Sequence, residues 1–118
     1  MELVCFQGQD KENWAQLNAL VKRGDWSNVL IIKNKNSEDF PLNDKCKVIE
    51  IDANNSLLDI KKELIEKLSG ALSKDFEVAL SIASGTGKEH MALISALLSI
   101  PVGIRLVAFT RSGIEFIN

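Results

Sequence analysis

Val29-Leu30-Ile31-Ile32 is an unbroken run of branched apolar side chains. A strand with one face in water would alternate apolar and polar residues, so this run must be covered on both faces. Sheets covered in this way are built from parallel strands, whose crossovers lay helices against them. The rest of the chain therefore has to supply helices for two sides.

It does so in order. Met1 to Phe6 is an apolar run that stops at Gly8, and it predicts a first strand. Asp10 is placed to cap a helix whose apolar positions Trp14, Leu17, Leu20 and Val21 recur at helical intervals, with Gly24 closing it. After the branched run, Asn34 to Lys45 is polar and predicts a loop, long enough to suggest function. Lys47 to Asp52 predicts the third strand. Ser56 then caps a helix with Leu57, Ile60, Leu64, Ile65 and Leu68 on its inner stripe, ending near Leu72. Phe76 to Ala83 predicts a fourth strand, and a helix through Met91, Ile94 and Leu98 stops before Pro101. Ile104 to Thr110 and Ile114 to Ile117, joined through Arg111-Ser112-Gly113, predict a closing hairpin.

Strand and helix alternate three times, which predicts an α/β fold: a Rossmann-like three-layer sandwich, mainly parallel, ending in an antiparallel β-hairpin. At 118 residues the chain makes one domain, 1–118, and buries roughly 65% of its unfolded surface without a staple. Formal net charge is -2, so a broad basic surface for duplex nucleic acid is not expected, and any anion site must be local. Cys5 and Cys46 have no metal or redox spacing, and Cys5 lies in an apolar run as a buried side chain would. With no signal peptide pattern and no apolar run of spanning length, a cytoplasmic, reducing location away from membranes is expected. Neither a metal nor a cofactor is expected.

Ligands in such sheets bind beyond the carboxyl ends of the strands, where the strand order reverses. Two loops there carry suggestive residues: Gln7-Gly8-Gln9 after the first strand, and Ser84-Gly85-Thr86-Gly87-Lys88 after the fourth. The second has glycines for close backbone approach, hydroxyls, a lysine and a following helix start, the components of an anion site. It is not a P-loop: the first glycine of G-x-x-x-x-G-K-[ST] would fall on Ile82, and the magnesium-binding hydroxyl after the lysine is Glu89. It is not a dinucleotide fingerprint either, since His90 stands where the third glycine would be. Glycine-rich strand-to-helix turns are also common without any ligand, and spacing alone leaves both readings open.

A resemblance adds to this. The strand "FEVALSIA", the loop "SGTGKEHM", the helix "ALISALLSIP" and the hairpin "VGIRLVAFTRSGIEFIN" resemble the C-terminal half of a CARF domain, over residues 76–118. These are Rossmann-like sensors of CRISPR-associated antiviral defence that bind cyclic oligoadenylate, usually as homodimers. The first half matches in its order of elements. The resemblance implies that Ser84, Gly85, Thr86 and Lys88 belong to a loop contacting phosphate and ribose, and that Gln7, Gly8 and Gln9 line the same pocket. Gly87 departs from the family pattern, standing between Thr86 and Lys88 where the basic residue usually follows directly. Some family members are ring nucleases with a hydroxyl in the first loop. Here that loop has Gln7 and Gln9, with only His90 or Asp10 nearby as a base, so binding is expected ahead of cleavage. A small phosphate- or nucleotide-acting enzyme and an interaction domain with an inert loop are the alternatives.

The remaining candidates read more plainly. His90, the single histidine, has no partner at metal or triad spacing and reads as a helix-end residue. Glu89 fits a first-turn carboxylate favoured by the helix dipole. Trp14 and Trp26 read as core or interface. Phe40, in the long loop, is the one aromatic placed to stack on a base, although packing under that loop is the simpler role.

Overall fold

A computed structural model describes residues 1–39, 43–73 and 76–118. Phe40 lies outside them. The elements run β1 (Glu2–Gln7), a 3-10 turn (Lys11–Asn13), α1 (Trp14–Arg23), β2 (Val29–Asn34), β3 (Cys46–Ile51), α2 (Leu57–Ala71), β4 (Glu77–Ser81), α3 (Gly87–Leu98), β5 (Gly103–Thr110) and β6 (Gly113–Phe116). The sheet order is β3-β2-β1-β4-β5-β6, parallel through β5, with β6 antiparallel to it. This is the expected Rossmann-like sandwich with its closing hairpin.

The two-residue period of the strands sorts side chains between two cores. From β1, Val4 and Phe6 join Leu30, Ile32 and Leu80 beneath α2 and α3, which contribute Ile60, Leu64, Leu68, Leu93 and Leu97. Leu3 and Cys5 point the other way, with Val29, Ile31 and Ala79, against Leu17, Leu20 and Val21 of α1. The run Val29 to Ile32 is buried on both faces, as its composition requires. Each fully buried aliphatic side chain stabilises the fold by about 1.5–3 kcal/mol.

Local signals behave as expected at α2, where Ser56 Oγ accepts the Asp59 N–H at 3.2 Å. Gly24 closes α1 in extended rather than left-handed backbone, its N–H bonded to the Leu20 carbonyl. The Trp26 indole lies where a side chain at 24 would stand, its Nε1 2.0 Å from the Cβ site. Cys5 is buried, and burial first, then proximity to Cys46, pushes its thiol up to about 12. It is inert at neutral pH.

One expectation is corrected. Asp10 makes no side-chain cap to the turn that follows it. Its carboxylate is taken by the loop after β4, which competes successfully because it offers two donors converging on one oxygen.

Candidate functional site

The strand order reverses between β1 and β4, so the loops that follow these two strands meet at the carboxyl edge of the sheet. They meet at very short range. A Cβ on Gly8 would stand 2.5 Å from Gly85 Cα, so only glycine lets the two backbones pass. Gly85 has φ +110°, and a side chain there would also strike Phe6 and His90 at 2.9 Å.

A chain of hydrogen bonds closes the contact. The Gly8 N–H donates to Ser84 Oγ at 2.8 Å, and the Ser84 hydroxyl donates to Asp10 Oδ1 at 2.6 Å. The Gly85 N–H donates to the same oxygen at 3.0 Å, and Asn13 Nδ2 donates to Asp10 Oδ2 at 2.6 Å. Partial burial works against the Asp10 charge, but the bonds from Asn13, Ser84 and Gly85 outweigh it and hold the carboxyl below its ordinary value. His90 Nε2 lies 2.6 Å from the Ser84 carbonyl, which can only accept, so that nitrogen carries the proton. Trp14 Nε1 donates to the Gly8 carbonyl at 2.9 Å. The switch point is thus occupied by the chain's own carboxylate.

The loop then turns into α3 through a reciprocal cap. Thr86 Oγ1 accepts the Glu89 N–H at 3.2 Å, and Glu89 Oε1 accepts the Thr86 N–H at 2.8 Å. Glu89 is the first-turn carboxylate expected of it. The amides of Gly87 and Lys88 are left without an acceptor among the described residues, and the Cβ site of Gly87 opens onto empty space. These two donors lie at the positive end of the helix. Lys88 Nζ reaches across to the Ala53 carbonyl at 3.2 Å, which leaves further ammonium protons for a ligand.

The eight residues singled out in the sequence thus fall into two groups. Gln9, Thr86 and Lys88 line one cleft of about 310 Å³, and the exposed Gly87 between the last two belongs to the surface formed along α3 with Met91, Ile94 and Leu98. Gly8, Ser84 and Gly85 form the clasp below it, with Ser84 fully buried. Gln7 is buried too, its Nε2 donating to the Glu38 carbonyl at 2.7 Å. The cleft also takes Glu89 of the α3 cap and three residues that sequence reasoning passed over, Asn34, Ala53 and Asn54. The same rule that drew attention to the loops after β1 and β4 would have found them at the ends of β2 and β3. Among the described residues no three His, Cys, Asp or Glu side chains gather as a metal site requires, and no helix is long and apolar enough to cross a membrane.

If the clasp is what joins the loops, Asp10→Asn should lower unfolding free energy by about 1–3 kcal/mol, the worth of hydrogen bonds to a charged group. The sign with pH is fixed. Because the folded carboxyl is depressed, its contribution is complete above the unfolded value of about 3.9 and is lost as pH falls through the lower folded value. Urea unfolding of both proteins from pH 7 downward should show the gap between them shrinking below about pH 4. A gap that is absent at pH 7, or constant into acid, contradicts the clasp.

No protein-family model matches the chain and no curated protein matches its sequence, so function has to be argued from these residues.

Proposed function

We propose that the protein is a CARF-like sensor that binds cyclic oligoadenylate, or a related nucleotide, at the start of α3. One observation carries the reading. The first-turn amides of Gly87 and Lys88 have no acceptor among the described residues, and Lys88 lines a cleft at the carboxyl edge of the sheet with Gln9, Asn34, Asn54 and Glu89, whose carboxylate is held by the Thr86 amide. Such a set suits a phosphate with sugar hydroxyls nearby. The progression from β4 through a glycine loop and α3 to the closing hairpin supports the same reading, because it is the order on which the sequence resemblance rests.

Direct contacts then belong to Gln9, Thr86, Gly87 and Lys88. Gln7, Gly8, Ser84 and Gly85 act below them by fixing where the loops stand. Binding is favoured over cleavage at Asp10, both of whose oxygens already accept hydrogen bonds.

A homodimer completes the reading. Gly87, Met91, Ile94 and Leu98 follow a four-three-four spacing along α3 and line one shallow apolar surface, with Met91 60% and Leu98 72% exposed. Pairing of that surface about a two-fold axis sets two Lys88 sites beside one symmetric ring.

Calorimetric titration with cyclic tetra- and hexa-adenylate should show one ring bound per two chains. Lys88→Ala should weaken binding roughly tenfold or more, as loss of a charge-assisted contact does. No heat with either ring, from folded protein, overturns the sensor. In sedimentation, Leu98→Glu should convert a dimer to a monomer. A wild-type chain that stays monomeric with and without ring rules out the pairing through α3.

A further inference from the structure

One face of the sheet is only partly roofed. Helices α2 and α3 lie together over one side, whereas α1 is the one helix that packs into the core on the other. A helix with its side chains is about 10–12 Å across and strands stand about 4.8 Å apart, so α1 covers only part of a six-stranded sheet. The register shows what it leaves open on the β5 side. Val107 pairs with Phe116 and Phe109 with Ile114, so these side chains share one face with Arg105. Val107 is buried in the α1 core, and Phe109 and Ile114 are half-buried at its border. Phe116, on the last strand, is 42% exposed.

This strip is where the arginines of the chain gather. There are three, and Arg111 stands exposed in the turn between β5 and β6. Arg23, at the end of α1, holds its guanidinium 5.0 Å from the centre of the Phe109 ring, and Arg105 holds its own 4.6 Å from that of Phe116. Lys11, Lys33, Lys35 and Lys67 each pair with a carboxylate, but no arginine does so among the described residues. Glu77 shares the face, two positions before the Ala79 that pairs with Arg105, and leaves that guanidinium unpaired. Arg105 Nε donates to the Asn118 carbonyl at 2.6 Å, which leaves the Nη protons for another acceptor.

A guanidinium lying on an aromatic ring keeps its edge donors in plane for a carboxylate. Arginine and aromatic side chains are also the residues that anchor protein interfaces. An occupant of this face therefore needs an apolar side for the strip and negative charge at its borders. A second copy fails the second condition, because two-fold pairing here would set arginine against arginine. A single-stranded nucleic acid fails the first, because guanidinium groups already occupy the rings on which its bases would stack.

We infer that the β5–β6 face between Arg23 and Phe116 binds an acidic amphipathic helix of a partner protein, laid on the sheet beside α1. Its apolar side covers Phe109, Ile114 and Phe116, and its carboxylates meet Arg23 and Arg105. The inference is independent of the nucleotide reading.

The probe is a synthetic amphipathic helix with leucines along one stripe and glutamates on both borders, compared with a twin carrying glutamines for the glutamates. Added to the nitrogen-labelled whole protein, the glutamate helix should shift the amides of β5 and β6 and the Arg105 Nε–H. Affinity should fall roughly tenfold or more for the glutamine twin, and likewise for Arg23→Gln combined with Arg105→Gln. Arg23→Gln alone, at an exposed helix end, should weaken binding several-fold with an unchanged circular dichroism spectrum, which separates lost contact from lost fold. No binding of the glutamate helix, equal binding of both helices, or shifts centred on α3 overturns the inference. Single-stranded oligouridylate that moves the β5 and β6 amides where the glutamate helix does not assigns the face to nucleic acid and overturns it as well.

Discussion

Asp10 Oδ1 is the point on which the carboxyl edge of this sheet is organised. One oxygen receives the Ser84 hydroxyl and the Gly85 amide, and the same hydroxyl receives the Gly8 amide. Two loops more than seventy residues apart in sequence are thereby held closer than any side chain would allow, which is why glycines stand at 8 and 85. Everything above the clasp inherits its position from it. The start of α3, the reach of Lys88 to Ala53 and the cleft lined by Gln9, Thr86 and Lys88 all follow.

The clasp also decides which donors a ligand can use. In a glycine-rich strand-to-helix turn the loop amides are the natural anion cradle. Here Gly85 donates to Asp10 and Thr86 donates to Glu89, so two of those amides already face carboxylates of the chain itself. Donor capacity moves one step along, to Gly87 and Lys88. In a chain of net charge -2, positive potential for an anion is local, and here it lies at a helix end and one lysine.

Much of this was legible in the sequence, and the failures are instructive. The branched run at Val29 to Ile32, the Ser56 cap and the hairpin around Gly113 are local signals, and each element stands within a few residues of where its signal placed it. That the loops after β1 and β4 meet at the carboxyl edge of the sheet was legible too, from the rule about strand ends. Asp10 was misread because its true partners are 74 and 75 positions away, while a helix start lies immediately beside it. Burial of Ser84 and Gln7 could not be foreseen without the strand order that brings β1 beside β4 and β2.

In the proposed reading, ligand phosphate is received by the first turn of α3, above a clasp that stays shut. Amide-resolved NMR of the nitrogen-labelled protein, titrated with cyclic tetra-adenylate, separates this from binding at the clasp itself. The Gly87 and Lys88 amides should move on binding while those of Gly8 and Gly85, locked to Ser84 and Asp10, stay nearly still. Movement centred on Gly8 and Gly85 instead, with Gly87 and Lys88 unchanged, would mean that the ligand displaces Asp10 and that the site lies at the switch point itself.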